Sequence, residues 1–579
     1  MNIRRSIRRL SILFVILFVA VSGGLVYWQV VVAQQVSSNP YLTLNRKCLP
    51  DSTPKRGRIF DRNGVLLAES IPIPVNTNNP NANNLCIYQR YYTHPSMANL
   101  IGYYVSPLYC SISAPFCSSG IERQFDDYLS GRNGITGVNN TINQALHLPP
   151  VGDDIYLTID VRIQDIVDKD FDTQAQPSGP NDTSVFTTHT GSVIVTDPKT
   201  GEILAMVSHP TYDSNRVASG DRQYLQQLLS DPHQPLINRA IDDCYVPGST
   251  YKTLTLMSAL DTNTFDLDTP QFYNDGDPTH LQAIGPIRLG SVNDTEKFGP
   301  IGNNIDYYTF HYPVNLRYGY SHSDNIIFAQ VGAKTGVDTW LKYNHNFYVG
   351  QQIPFDLPVR VSTVTPQSQK NLCSYTPPPE TPLSVKQLAE NAFGQGVDFV
   401  TPMQMSLFDD AAANNGHLMR PTLISKIVDP SQSVLQSFSA KELGTPISDT
   451  TAGLIRDAMY GVVSCGSGSL GKVQLSYPYS RWSVIGKTGT GEVDSTGLTP
   501  AQSWFITAAP YQFQSGGLPR ITIVAMKEHG GEGAYANGPM LRDIYEAVFS
   551  QVLTDVQAPP TPDPNFCMNT GLLQPKPTG

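Results

Sequence analysis

Charge is scarce in this 579-residue chain: Asp, Glu, Lys and Arg make up 15% of it, and the net charge at pH 7 is −10. With no basic excess to neutralise phosphates, nucleic acid is excluded as a partner. None of the eight cysteines stands in a Cys-x-x-Cys pair, so Cys48, Cys86, Cys110, Cys117, Cys244, Cys373, Cys465 and Cys567 fit disulfides better than metal ligation. No Gly-x-Ser-x-Gly elbow occurs, which leaves His209 and His529 without a hydrolase triad to join. No internal repeat is visible, and the length calls for two or three domains.

What is present begins with a membrane signal. Arg4, Arg5, Arg8 and Arg9 precede an uncharged, mostly apolar run from Leu10 to Ala33, long enough to cross a hydrocarbon layer of about 30 Å as a helix. Positive charge stays cytoplasmic, so residues 1–9 are expected inside, 10–33 in the membrane with Tyr27 and Trp28 at its outer face, and everything after them outside. A cleaved signal peptide ending near Val31-Val32-Ala33 is the alternative, but signal cores usually run about 7 to 15 apolar residues. Export places the cysteines in an oxidising compartment. Cys110 and Cys117 are close enough to pair locally, and Cys244 is either bridged or a free buried thiol.

Beyond the anchor, residues 34–180 are rich in Asn, Pro and Tyr, with the irregular stretch IPIPVNTNNPNANN at 71–84, and predict a module of short strands. From residue 191, GSVIVTDPKTGEILAMVS predicts strand, turn and strand, and RWSVIG (481–486), SWFITAAP (503–510) and RITIVAMK (520–527) add three strands to one antiparallel sheet. From Met540, Leu541, Ile544, Tyr545, Val548, Phe549 and Val552 share a helical face that would close on that sheet. Residues 215–470 carry helical patterns between the strand groups. The fold class is therefore α+β with a helical subdomain, occupying 181–556 and followed by a Pro-rich tail, 557–579, expected to be loose.

Chemistry enters at YVPGSTYKTL. Ser-x-x-Lys also occurs at Ser52 to Lys55 and Ser469 to Lys472, but the first encloses Pro54 and the second lies in CGSGSLGK. Only Ser249 opens a periodic segment, with Leu254, Met257 and Leu260 at three-residue intervals, so a helix starting there stacks the Ser249 hydroxyl and the Lys252 amine. A serine hydroxyl needs a neighbouring base to become a nucleophile, and a lysine desolvated or placed beside positive charge can serve. An N-cap serine beside a surface lysine is the plainer alternative. Two further motifs count against it: Ser323-Asp324-Asn325 precedes the helical run IIFAQVGA, and Lys487-Thr488-Gly489-Thr490 is expected where the strand RWSVIG ends. Each has decoys, Ser291-x-Asn293 in a polar loop and Lys-Thr-Gly at Lys199 and Lys334, that lack this context.

In that order the three motifs resemble those of the penicilloyl-serine enzymes, and the chain resembles a class B penicillin-binding protein over nearly its whole length. RGRIFDRNGVLLAES (56–70), GIERQFDDYLSG (120–131), LTIDVRIQ (157–164), TGEILAMVSHPTYDSN (200–215), FGQG (393–396) and TPMQM (401–405) look like further family landmarks. The resemblance implies the penicilloyl-serine transferase fold on a pedestal module. It implies a peptidoglycan D,D-transpeptidase that needs no cofactor and no metal, and that β-lactams acylate. Ser249 would be the nucleophile and Lys252 its base. Ser323 would relay a proton, Asn325 hold the substrate amide, and Lys487 support the relay. Thr488 and Thr490 would receive the substrate carboxylate, Gly489 would let the substrate approach the strand, and the backbone N–H groups of Ser249 and Thr490 would form the oxyanion hole.

The implied partners are peptidoglycan stem peptides, β-lactams, the membrane and a SEDS-type glycan polymerase, since no polymerising motif is seen in the short N-terminal module. A D,D-carboxypeptidase or β-lactamase of the same fold, or a noncatalytic β-lactam sensor or scaffold, are the alternatives. The large N-terminal module argues against the first, and the intact motif residues against the second.

Overall fold

The computed structural model describes residues 3–27, 55–72, 88–106, 117–145, 151–179, 182–274, 312–366, 373–379, 381–469, 473, 475–494 and 498–572. Cys48, Cys86, Cys110, Trp28, the stretch 73–87 and the decoy Ser291-x-Asn293 lie outside them.

A central five-stranded antiparallel sheet holds the core. Its order is Ile485–Gly491, Gln502–Ala509, Ile521–Lys527, Gly191–Asp197, Glu202–His209. The turn after Asp197 follows from its sequence: the Asp197 carboxylate accepts from the Lys199 N–H at 3.1 Å, and Gly201 takes a φ of 77°. Side chains alternate across the sheet, so Val193, Val195, Phe505 and Ile523 fill one core, with Met540, Leu541 and Ile544 of the closing helix over it. Ile194, Ile506 and Val524 fill the other, under the helices Lys252–Asp261 and Pro402–Ala413. Both faces are covered, which is why Gln502–Ala509 and Ile521–Lys527 are buried at every position.

Two expectations shift. The strand expected at 481–486 instead runs Ile485–Gly491, so Lys487 lies inside it, opposite Ile506, and does not end it. Pairing along the whole edge of the neighbouring strand overrides the weak strand preference of Gly486, Gly489 and Gly491. The closing helix begins at Gly533, not Met540, with Pro539 inside it. A Cβ on Gly533 would stand 2.1 Å from the Trp504 carbonyl and 2.2 Å from that of Gly489, so glycine lets this helix start against the sheet.

A second sheet has the order Tyr88–Tyr92, Leu66–Pro72, Ile59–Phe60, Asp154–Leu157, Ile424–Val428, Val434–Ser437. Its last two strands come from far down the chain, so it crosses the expected boundary at residue 180. Under it, Glu122 is fully buried between Arg56 and Arg90, with the Arg56 Nε donating at 2.9 Å. The charges of the segments 56–70 and 120–131 thus neutralise one another in the interior.

Cys244 is bridged to Cys373, which removes the free-thiol alternative, and Cys465 to Cys567. Cys117 is also disulfide-bonded. The tail is not loose as far as Leu572: Phe566 packs on Tyr460 and Phe513, and Leu572 is 2% exposed. Apolar contact plus a covalent tie outweighs the proline content.

At the other end, Ile3–Val26 is a helix whose side chains from Ile12 to Val19 are between 52% and 73% exposed. Its apolar part from Ile12 to Val26 rises about 22 Å, and no helix among the described residues is long and apolar enough to cross a membrane. The expected span over 10–33 runs past the described helix.

Candidate active site

Ser249 and Lys252 are brought together by a tighter turn than the α-helix expected. Residues Gly248–Tyr251 form a 3₁₀ turn that leads directly into the helix Lys252–Asp261. At three residues per turn, positions i and i+3 eclipse. The Lys252 Nζ accordingly stands 3.0 Å from the Ser249 Oγ. The turn depends on Gly248, whose φ is 54° and whose absent Cβ would lie 2.4 Å from the Thr490 carbonyl oxygen. The helix that follows is buried on all sides, so Lys252 is 0% exposed while Ser249 stays half-buried at the cleft surface.

Ser323 reaches the same amine from the turn joining Leu316–Ser321 to Asn325–Thr335. Its φ of 62° is a left-handed conformation that a non-glycine residue adopts at a cost. The turn is held by Asp324, whose carboxylate accepts from the Ile327 N–H at 3.0 Å and from Asn274 Nδ2 at 2.8 Å. In this geometry the Lys252 Nζ donates to the Ser323 carbonyl and to Asn325 Oδ1 at 2.6 Å, and lies 3.1 Å from Ser323 Oγ.

The third piece is the strand Ile485–Gly491, at the edge of the central sheet. Lys487 Nζ lies 2.8 Å from Ser323 Oγ, so one hydroxyl bridges the two lysine amines. Lys487 is 0% exposed. Burial first, and then the nearby charge of Lys252, push its pKa well below the ordinary lysine value. Thr488 Oγ1 is 2.7 Å from Ser467 Oγ, and Thr490 Oγ1 is 3.5 Å from the Gly533 N–H. A Cβ on Gly489 would lie 2.8 Å from the Pro247 carbonyl, so glycine is what lets the strand lie against the serine turn.

Three distant segments therefore converge: hydrogen bonds join Ser249, Lys252, Ser323, Asn325 and Lys487, and the strand that carries Thr488, Gly489 and Thr490 lies against the turn that presents Ser249. His209 and His529 stand elsewhere: His209 is 3.0 Å from Asp168 and stacks on Phe171, and His529 bonds the Pro500 carbonyl. His322 stacks on Tyr318 with its pKa pushed down by burial.

Two residues at the cleft went unassigned in the sequence. Ser467 sits in the very CGSGS stretch set aside as a decoy, and its backbone N–H also donates to the Ser321 carbonyl at 2.9 Å. No spacing rule singles it out. Gln395 had a visible signal, its place between two glycines in FGQG; its Nε2 donates to the Thr490 carbonyl at 2.8 Å.

The described geometry can do acyl transfer. It holds a half-buried hydroxyl beside a buried amine, a second hydroxyl shared by two amines, and the edge strand of the central sheet beside them.

Residues 191–546 match the family described as penicillin binding protein transpeptidase domain. Over 558 residues the chain is 27% identical to the peptidoglycan D,D-transpeptidase PbpA of Mycolicibacterium smegmatis, covering 93% of this chain and 96% of that protein. It is 28% identical over 456 residues to the peptidoglycan D,D-transpeptidase MrdA of Escherichia coli K12, covering 74% of this chain and 64% of MrdA. The fold is that of penicillin-binding protein A from Mycobacterium tuberculosis, solved as an imipenem acyl-enzyme complex, with a TM-score of 0.65 at 24% identity over 86% of this chain and 99% of that one.

Proposed function

This chain belongs to the penicillin-binding protein transpeptidase family and is a peptidoglycan D,D-transpeptidase acylated by β-lactams, and we propose that Ser249 is its nucleophile and Lys252 the base. The observation that carries the assignment of roles is the bridging of Ser249 Oγ, Ser323 Oγ and Asn325 Oδ1 by one buried amine.

With Lys252 neutral, Ser249 gives its proton to Nζ as Oγ attacks the carbonyl between the last two D-alanines of a stem peptide. The oxyanion forms against the N–H groups of Ser249 and Thr490. The C–N bond then breaks, and the proton held on Lys252 passes through Ser323 Oγ to the leaving amine of D-alanine. An ester on Ser249 remains. An amine of a second stem peptide attacks that ester, its proton returns by the same path to Ser249 Oγ, and the new amide is the cross-link.

Lys487, on the far side of Ser323, keeps the relay hydroxyl in place. With a lysine at each side of one hydroxyl, the two amines repel one another as cations, and the pair sheds a proton more readily than a lone lysine. Thr488 and Thr490 receive the terminal carboxylate, Asn325 holds the substrate amide, and the substrate backbone adds to the strand edge beside Gly489.

The same reading keeps residues 34–180 as a pedestal, 181–556 as the transpeptidase domain and 557–579 as a tail. Residues 1–9 are cytoplasmic, 10–33 a single-pass anchor, and the rest extracytoplasmic. Four arginines in the first turns of a helix that buries none of its described apolar side chains support the anchor. A SEDS-type glycan polymerase is its proposed partner at the anchor and pedestal.

The test is cross-linking: purified protein is given lipid-linked glycan and a polymerase, and muropeptides are resolved. Dimers that vanish in Ser249→Ala support the reading; free D-alanine without dimers would make the enzyme a carboxypeptidase.

A further inference from the structure

We propose that Gln395 is a positioning residue of the transpeptidation site, a side-chain peptide mimic that holds the Thr490 backbone extended, with its N–H on the oxyanion-binding side, and closes the strand edge beyond it. The proposal rests on the mechanism above, through the role given there to the Thr490 N–H.

The loop that carries Gln395 is built into the site. Gly394, at a φ of 82°, accepts from the Gly248 N–H at 3.0 Å, and a Cβ on it would lie 1.8 Å from the Gly248 carbonyl. So the loop rests on the turn that presents Ser249, and the absent side chain of Gly394 is what permits that approach. From behind, the fully buried Asn391 fixes the loop: its Oδ1 accepts from the Val397 N–H at 2.8 Å and its Nδ2 donates to the Val364 carbonyl at 2.7 Å. From this base the Gln395 side chain crosses to the strand Ile485–Gly491. Its Nε2 donates to the Thr490 carbonyl at 2.8 Å, and its Oε1 accepts from the Glu492 N–H at 3.3 Å. A carbonyl can only accept and an N–H only donate, so the amide has one orientation.

Bonding the carbonyl of residue 490 and the N–H of residue 492 is the pattern that one residue of a parallel strand makes opposite residue 491. The primary amide of Gln395 thus stands in for a single strand residue. The consequence is twofold. The bond to the Thr490 carbonyl fixes the Thr490–Gly491 peptide, and because an extended residue points its own N–H and carbonyl to the same side of a strand, it holds Thr490 extended with its N–H toward the oxyanion position. An incoming substrate backbone meets an edge already occupied from the Thr490 carbonyl onward, and pairs along residues 488–490 alone.

Holding a donor where charge develops raises the rate of bond formation more than the affinity of the ground-state complex. The test measures acylation of the full-length parent, Gln395→Ala and Gln395→Glu by a fluorescent penicillin under stopped flow, separating the dissociation constant of the first complex from the acylation rate constant. Gln395→Glu keeps the volume and the acceptor but removes the donor to Thr490. Both variants should reach one label per chain and melt near the parent, with an acylation rate constant lower by about tenfold to a hundredfold and a dissociation constant within about twofold. A fold defect would lower the labelled fraction instead; should Gln395→Ala do so, Gln395→Glu decides alone. Gln395→Glu acylated at the parent's rate overturns the proposal and leaves the mechanism standing. A parent that takes no label overturns the mechanism, and this inference with it.

Discussion

The amine of Lys252 stands 3.0 Å from the hydroxyl of Ser249, one 3₁₀ turn along the chain, with Ser249 at the cleft surface and Lys252 fully buried. A buried amine hydrogen-bonded to the Ser323 carbonyl and to Asn325 Oδ1 is held there at a cost in solvation, which is the condition under which a lysine can act as a base.

Lys252→Met replaces the amine by an apolar side chain of similar reach in the same buried place. Acylation by penicillin should fall by about a hundredfold to ten-thousandfold, the range for loss of a positioned general base. Circular dichroism melting should show no loss of stability. Label appearing at the parent's rate would remove Lys252 from the role of base.

Lys487 predicts a pH effect on stability. Its folded pKa lies well below the ordinary value of about 10.4. In the window between the two, the unfolded chain binds the extra proton, so stability present above pH 10 is lost as pH falls toward the folded pKa. Lys487→Met escapes this loss. Its thermal midpoint at pH 7 should exceed the parent's, the gap narrowing toward pH 10, while acylation drops. A midpoint below the parent's at pH 7 would contradict the assignment of an uncomfortable buried amine.

The acylation rate itself should climb with pH and level off short of the ordinary lysine pKa of about 10.4, because burial and then the charge of Lys252 favour the neutral amine of Lys487, which shares the Ser323 hydroxyl with Lys252. A pH profile of penicillin labelling checks this. A rate still rising steeply at pH 10 would mean that the base is an unperturbed amine.

Glu122 holds two arginines in the pedestal. Glu122→Gln leaves Arg56 and Arg90 without their shared buried counter-charge, and should cost about 3 to 5 kcal/mol, read as a fall in the denaturation midpoint. A change near zero would show that Asp126, also paired with Arg56, suffices alone.

Cys465 and Cys567 tie the tail to the segment that carries Ser467. Replacing both by serine opens a loop of 102 residues and should lower stability by about 2 to 4 kcal/mol. Unchanged melting in the double variant would mean that the contacts of Phe566 and Leu572 hold the tail unaided.

What could be read beforehand was local. Alternating or apolar runs in 191–208, 503–510 and 520–527 specify strands, and the Pro-Gly before Ser249 specifies a turn into a helix. Two of the three motifs, at Ser249 and Ser323, stand at element boundaries, where the backbone aims a side chain, and the third lies inside a strand. What escaped was decided by pairing at a distance. Lys487 lies within a strand because a complete neighbouring strand stands beside it, and no preference of Gly486 or Gly489 announces that. The pairing of Asp154–Leu157 with Ile424–Val428 joins segments far apart in sequence. Ser467 had no pattern of its own, whereas the two glycines around Gln395 were visible marks of close approaches whose partners, Gly248 for Gly394 and Asn391 for Gly396, only the fold reveals.

The most direct measurement is covalent labelling of membranes or purified protein by a fluorescent penicillin, followed by peptide mapping, in the parent and in Ser249→Ala. The parent should carry one label on the peptide containing Ser249, and the variant, folded to the same thermal midpoint, none. Label retained by Ser249→Ala, or mapped to any other serine, would contradict the account.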